Sequence, residues 1–310
     1  MFKAIPEFLL ERVLQEVERP GRYVGGEWNE KRKNPSEVRA KVALVFPDVY
    51  EIGMSYLGQK ILYSVLNSHP HFLAERVFAP WIDFEQKLCS QKIPLYSLEN
   101  KIPLCQFDII GFSLLYELNY SNILTILELG RIPFYAAERG LEHPLVMAGG
   151  PASFNPEPVA DFFDLFLLGD GEEAIVEIVD QFVELKKKAE ERTEILEGLA
   201  RIKGVYIPSH YEAYQPPRSS LLAVKPAASG APLKIAKRLV TSFSSSPFPE
   251  DIIVPDIQVV FDRVAVEVAR GCPQRCRFCQ ATSLYFPHRI KSPSFVIPKL
   301  LRSLQATGYD

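Results

Sequence analysis

Lys41-Val42-Ala43-Leu44-Val45-Phe46-Pro47-Asp48-Val49-Tyr50-Glu51-Ile52-Gly53 is the stretch that decides how this chain folds. Its first half is a short, continuously apolar run and its second half is turn chemistry. From Leu57 to Asn67 the apolar residues then recur at helical spacing. A run that is apolar at every position suits a strand buried on both faces, and such strands belong to parallel sheets. The unit repeats downstream. Candidate strands are Val42–Phe46, Arg76–Ala79, Ile109–Ser113, Leu145–Ala148 and Leu165–Leu168, and candidate helices are Leu57–Asn67, Asp83–Gln91, Asn119–Leu129 and Glu172–Lys187. This alternation predicts an α/β fold, a doubly wound parallel sheet covered on both faces, over residues 41–199. Asp170, with Glu173 three residues on, reads as the N-cap of the last helix.

Five strands in this rhythm fit a flavodoxin-like domain, and in such sheets ligands bind beyond the carboxyl ends of the strands. The segments at those positions are Pro47-Asp48, Pro80-Trp81, Leu114-Leu115-Tyr116, Gly149-Gly150-Pro151 and Gly169-Asp170-Gly171. Small residues there let a ligand approach the backbone closely. Gly149-Gly150 lacks the context of a dinucleotide fingerprint, so a plain tight turn stands beside a phosphate-cradling role.

Residues 1–40 read as an N-terminal helical extension, with Phe8, Leu9, Val13 and Val17 on one face of a helix that Pro20-Gly21 ends. The basic run Lys31-Arg32-Lys33 reads as a solvated loop. Residues 200–257 are rich in proline and serine and read as a linker, in which Val205–Ile207 and Leu221–Val224 could pair. Residues 258–310 begin a further unit: a strand at Val264–Val268, a loop from Gly271 to about Ser292, and a helix from Phe295 to Ala306 with Pro293 at its start.

That loop carries Ala269-Arg270-Gly271-Cys272-Pro273-Gln274-Arg275-Cys276-Arg277-Phe278-Cys279-Gln280, which places three of the five cysteines at C-x3-C-x2-C spacing. Three thiolates on one tight loop suit three corners of a [4Fe–4S] cluster, leaving one iron without a protein ligand. A zinc knuckle needs a fourth ligand; His288 is the available residue, without the usual partner spacing. A disulfide cluster is the remaining alternative. The spacing, with an aromatic residue before the last cysteine, resembles the radical S-adenosylmethionine (radical SAM) superfamily. The resemblance implies that Cys272, Cys276 and Cys279 hold a [4Fe–4S] cluster whose open iron chelates S-adenosylmethionine. It also implies that the backbone at Phe278 helps to seat the adenine, and that an electron donor such as flavodoxin or ferredoxin reduces the cluster. The product of that chemistry in the superfamily is a 5′-deoxyadenosyl radical.

The order of features in residues 41–185 is similar to the cobalamin-binding-like domain that precedes the radical SAM domain in many members. Cobalamin domains with a protein axial ligand carry D-x-H-x-x-G after the first strand. Here the phrase is Asp48-Val49-Tyr50-Glu51-Ile52-Gly53, with tyrosine where the histidine would stand. A phenol with a pKa near 10 is a poor axial ligand, so cobalamin is either bound without one or not bound. By this resemblance Asp48, Tyr50, Gly53, Gly149 and Gly150 are the candidate crevice residues. The longer phrase from Phe46 to Ser55, with Arg19-Pro20-Gly21-Arg22-Tyr23 upstream, resembles a subfamily of B12-binding-like radical SAM proteins that carries over no substrate. Methylthiotransferases need three more cysteines, and only Cys89 and Cys105 lie outside the motif, so that activity is rejected.

The chain has 310 residues, 47% hydrophobic and 24% charged, with net charge −3. That balance suits a globular protein of about two domains and indicates no nucleic-acid field. No apolar run approaches a membrane span, Met1 to Glu7 lacks a signal-peptide core, and clustered cysteines argue against secretion, so a cytoplasmic protein is expected. Only 31 residues follow Cys279, about one strand–helix unit of a barrel. The expectation is a fragment that is inactive alone, or a chain complemented by a second polypeptide that completes the barrel. A non-enzymatic iron–sulfur or ligand-binding protein is the rival expectation.

Overall fold

The computed structural model describes residues 4–221 and 223–309. Met1–Lys3 of the N-terminal reading, Leu222 within the expected strand Leu221–Val224, and Asp310 lie outside the described residues. The chain begins with helix α1 (Glu7–Leu14). Strand β1 (Ala40–Phe46) follows, then the single turn α2 (Tyr50–Gly53) and helix α3 (Leu57–Ser68). Next come β2 (Phe72–Phe78), α4 (Ile82–Gln91), β3 (Ile109–Ser113), α5 (Tyr120–Leu129), β4 (Leu145–Gly149) and β5 (Leu165–Leu167). Helices α6 (Ala174–Lys186) and α7 (Arg192–Leu199) then lead into β6 (Val205–Tyr206).

Among the described residues these six strands form one sheet in the order 2-1-3-4-5-6. The first five are parallel and β6 is antiparallel to β5. This α/β arrangement, with the strand order 2-1-3-4-5, is that of a flavodoxin-like domain. Alternation along β1 divides the core: Val42, Leu44 and Phe46 pack with α3, α6 and α7, while Ala43 and Val45 pack with α1, α4 and α5. Among the described residues no helix is long and apolar enough to cross a membrane.

Tertiary contacts change several sequence expectations. Helix α1 buries Leu10 and Val13, and Phe8 points outward, because only one narrow stripe meets α4. Strand β6 extends the main sheet, so among the described residues Val205 and Tyr206 pair with Leu167 and Phe166 rather than with the Leu221–Val224 segment. Instead β7 (Tyr211–Tyr214) and β8 (Ala223–Pro226) form a separate antiparallel pair. Asp170 is not the cap of α6, whose N-cap position is Glu173, and its carboxylate accepts from Val240 N at 3.0 Å. Val264–Val268 forms no strand: at its end Val268 O accepts from Lys291 N at 2.9 Å, but the ladder proper begins only at β9 (Ala269–Arg270), which is two residues long. It pairs antiparallel with β10 (Arg289–Ile290), after the short turn α8 (Ala281–Leu284) and before α9 (Pro293–Thr307). In α9, Pro293 starts the helix, Ser292 caps it by accepting from Phe295 N, and Gly308 ends it at φ 74°.

Strand β2 is seven residues long and buried throughout, although Glu75 and Arg76 sit in its middle. The guanidinium of Arg76 donates to Glu27 at 3.0 and 2.7 Å, to Glu30 at 3.3 Å and to Glu99 at 2.6 Å. Glu75 accepts from Ser97 and Asn100. Leu98 N also donates to Arg76 O at 2.9 Å, so residues 97–100 cover the outer edge of the sheet. One arginine serves several carboxylates, and their protonation differs accordingly. Burial opposes ionisation of Glu27, but the charge and hydrogen bonds of Arg76 outweigh it and hold that carboxyl down at about 2. Burial pushes Glu99 up to about 7, with Arg76 only partly offsetting it, and burial pushes Glu75 up as well.

A pH dependence follows. Between the ordinary glutamate range and about 7, folded Glu99 keeps a proton that the unfolded chain has released. Stability therefore falls as pH rises through that window. In urea titrations the midpoint is expected to be lower near pH 8 than near pH 5.5, and Glu99→Gln to flatten that slope. An unchanged slope in the variant means that Glu99 is already ionised in the fold.

Candidate functional site

The site lies at the carboxyl edge of the sheet. The chain leaves β1 through Pro47-Asp48, where Asp48 Oδ1 accepts from Val49 N at 2.8 Å and Oδ2 accepts from the Tyr116 hydroxyl at 3.2 Å. Asn119 and Asn122 donate to Pro47 O at 3.0 and 2.9 Å. The loop after β3 is thus tied to the loop after β1, at the point where the strand order reverses. After β4 the chain turns through Gly149 and Gly150. Gly150 has φ 114°, and a Cβ there would lie 2.4 Å from Leu114 O, so the turn requires glycine. Gly149 has open space beside it, its nearest neighbour being Leu167 O at 3.9 Å.

Tyr50 and Gly53 are elsewhere. Tyr50 is buried, with its hydroxyl donating to Glu27 at 2.8 Å and its ring edge-on to Phe78. Gly53 lets α2 sit on β2, since a Cβ would come within 2.2 Å of the Phe78 ring. These residues do not fit an axially ligated cobalamin, because the side chain at the ligand position is already bonded inside the core.

The cysteine loop hangs from the β9–β10 pair, in which Arg270 faces Arg289. Gly271 turns it at φ 92°, where a Cβ would meet Tyr285 O at 2.6 Å. Cys272 is half-buried, Cys276 and Cys279 are exposed, and all three are free thiols. Cys279 N donates to Cys276 O at 3.1 Å, and Gln274 O accepts from the Thr282 hydroxyl. The ring of Phe278 is 92% exposed. A cavity of about 350 Å³ separates this loop from the sheet. Leu115, Glu117, Pro151 and Ala152 line one side of it, and Phe278, Cys279 and Gln280 line the other. The end of the C-x3-C-x2-C segment, Phe278 to Gln280, therefore faces the residues that follow β3 and β4.

As a donor set, three free thiols on one loop suit an iron–sulfur centre. Their arrangement is open: among the described residues no three His, Cys, Asp or Glu side chains stand together as a set able to hold a metal ion. His288 is exposed and does not complete a zinc set. Arg275 and Arg277 are solvated, as loop charges ordinarily are, but Arg270 and Arg289 are not; both pair with Asp170. Burial works against ionisation of Asp170, yet Arg289, the Val240 amide and Arg270 together hold its carboxyl below the usual range. This pairing joins residues about a hundred positions apart, and no local sequence signal marks it.

The fold and site together define an α/β domain with a cysteine-bearing loop across its ligand edge. Residues 58–208 match the family model described as radical SAM proteins, N-terminal, which relates this part of the chain to radical SAM proteins. The chain is also 24% identical over 262 residues to an uncharacterized protein of Methanocaldococcus jannaschii, covering 81% of this chain and 43% of that one. Among solved structures it is similar to the radical S-adenosylmethionine methyltransferase TsrM of Kitasatospora setae, with tryptophan substrate and a SAM analogue bound. That likeness has a TM-score of 0.47 at 14% identity, over 87% of this chain and 46% of the other. The chain spans less than half the length of each of these two proteins.

Proposed function

We propose that this chain is the N-terminal portion of a radical SAM enzyme. In this reading Cys272, Cys276 and Cys279 hold a [4Fe–4S] cluster, and the backbone around Phe278 helps to seat S-adenosylmethionine. When bound, such a cluster supplies an open iron that chelates the amino and carboxylate groups of S-adenosylmethionine, and an electron that cleaves its sulfonium to a 5′-deoxyadenosyl radical. Residues 258–310 would begin a partial barrel, with α9 as its first helix and Val264–Val268 joining as a strand only alongside the rest of the barrel. The observation that carries the reading is that the C-x3-C-x2-C loop brings Phe278 and Cys279 to a cavity of about 350 Å³ whose other side is lined by the residues following β3 and β4. The relation of residues 58–208 to radical SAM proteins supports it. The chain's own contribution is to present soft donors at the ligand edge of the sheet, with the floor of the cavity shaped by the turn at Gly150. An axially ligated cobalamin is not part of this proposal.

The test is anaerobic reconstitution with iron and sulfide, followed by EPR of the reduced protein with and without S-adenosylmethionine. A cluster signal that changes shape on adding S-adenosylmethionine supports the proposal. A cluster signal indifferent to S-adenosylmethionine favours an iron–sulfur protein without radical chemistry. Zinc uptake in place of iron and sulfide overturns the reading.

A further inference from the structure

The two arms of the cysteine loop are joined by very little backbone. The β9–β10 ladder contains two residue pairs, Arg289 with Arg270 and Ile290 with Ala269, and it must hold everything from Gly271 to His288. A ladder this short is marginal by itself. What stands beside it is a compact ionic cluster at the end of β5. Arg270 donates to Asp170 Oδ1 at 2.9 Å, to Glu172 Oε1 at 2.5 Å and to Glu267 Oε1 at 2.8 Å. Arg289, on the opposite arm, donates to the other oxygen of Asp170 at 2.6 Å. Lys291 Nζ lies 3.4 Å from Glu267. The cations of Arg270, Arg289 and Lys291 sit 5.1, 5.0 and 4.9 Å from the centre of the Phe243 ring.

Three acids face three bases, so the cluster is balanced. Its members are also largely withdrawn from water: the side chains of Asp170 and Glu172 are 7% and 4% exposed, those of Arg270 and Arg289 14% and 15%. Pairs in that setting are screened far less than surface pairs, and breaking one leaves an uncompensated charge. Asp170 is itself immobilised, because its amide donates to Arg238 O at 2.9 Å and its carboxylate accepts from Val240 N. Gly169 makes that strap possible; its φ is 118°, and a Cβ would lie 2.0 Å from Arg238 O.

We propose that Asp170 and Glu172 are positioning residues for the cysteine loop, gripping its two arms through Arg270 and Arg289 and so setting Cys272–Cys279 over the cavity at β3 and β4. The proposal rests on the radical SAM reading for what the loop holds, but the grip itself is independent of it. Because Asp170 lies three residues past the end of β5, which pairs with β4, it is tied to the sheet whose strand ends form the cavity floor. The clamp thereby fixes the thiols relative to the crevice as well as closing the mouth of the loop.

The experiment compares the wild-type chain with Asp170→Asn, Glu172→Gln and Arg289→Lys, using two readouts. Before any metal is added, the rate of maleimide labelling of half-buried Cys272 reports how often the loop opens. Loss of the clamp should raise it about tenfold in Asp170→Asn, with a far-UV spectrum like that of the wild type. Arg289→Lys keeps the charge and should stay near the wild-type rate. After reconstitution, Asp170→Asn and Glu172→Gln should give altered EPR line shapes, and Arg289→Lys the native one. If Asp170→Asn unfolds, Glu172→Gln decides the same question with the other carboxylate intact. Wild-type labelling rates and spectra in both carboxylate variants overturn the clamp. If the wild type takes up no cluster, the functional proposal fails while the labelling rates still decide the positioning role.

Discussion

Cys276→Ala is expected to lower the iron content of the reconstituted chain from about four per chain to less than one, with Cys272→Ala and Cys279→Ala behaving alike. Each thiolate would hold one corner of the cluster, and one iron already lacks a protein ligand. Removing a second anchor leaves two cysteines, too few to retain the cube against exchange. Cys89→Ala is the control, since Cys89 lies on α4 on the far side of the chain sequence from the loop and should leave iron content unchanged. Burial pushes the Cys105 thiol up, away from the thiolate form that a ligand needs, so Cys105→Ala should be equally silent. Iron and sulfide contents, with the visible absorbance of the reconstituted protein, measure the outcome. Equal cluster content in wild type and all three loop variants would falsify the assignment of these cysteines.

Arg76→Met is expected to be the most damaging single substitution in the α/β domain, at about 3–5 kcal/mol. The guanidinium is fully withdrawn from water and bonds Glu27, Glu30, Glu99 and the Met54 sulfur at 3.1 Å. Methionine fills much of the same volume, so the cost is electrostatic: Glu27 and Glu99 lose the cation that offset their desolvation. Glu27 carries the greater part, because Arg76 holds its carboxyl down at about 2 and without that partner it must take up a proton or stay buried and charged. Arg19→Ala removes a cation of the opposite kind, since the Arg19 side chain is 58% exposed where it meets Glu51. Such a surface pair contributes well under about 1 kcal/mol. Urea unfolding of the two variants separates the cases. A loss below about 1 kcal/mol in Arg76→Met would mean that the carboxylates reach water by local rearrangement.

Much of the sheet was legible because its signal is local. Val42–Phe46 and Leu145–Ala148 are apolar at every position and Ile109–Ser113 departs from that only at its last residue, and burial on both faces leaves little else for such segments to be. The strand at Phe72–Phe78 was read short, as Arg76–Ala79, since Glu75 looks like a solvent-facing residue until its partners are known. Glu27 and Glu99, which pair with Arg76, come from segments with no periodicity of their own. The segments past all five strands could be named as ligand positions from the parallel pattern, and of these Leu115 and Pro151, past β3 and β4, do line the cavity. Tyr50 and Gly53 could not be placed this way. Their spacing copies a ligand motif, while the packing of α2 on Phe78 turns them into the core.

Hydrophobic period and residue spacing act over a few positions, so they were enough for the α/β class, the parallel direction of its first five strands and the grouping of Cys272, Cys276 and Cys279 on one loop. Tertiary structure decided the rest. It turned Asp170 from an expected helix cap into the anchor of Arg270 and Arg289, and it made Arg76 the centre of a buried charge cluster. It also set the cysteine loop across the cavity from Leu115 and Pro151. The physical reason is the same in each case: a charged side chain has no fixed meaning until desolvation forces it to find a partner, and that partner is chosen by the fold.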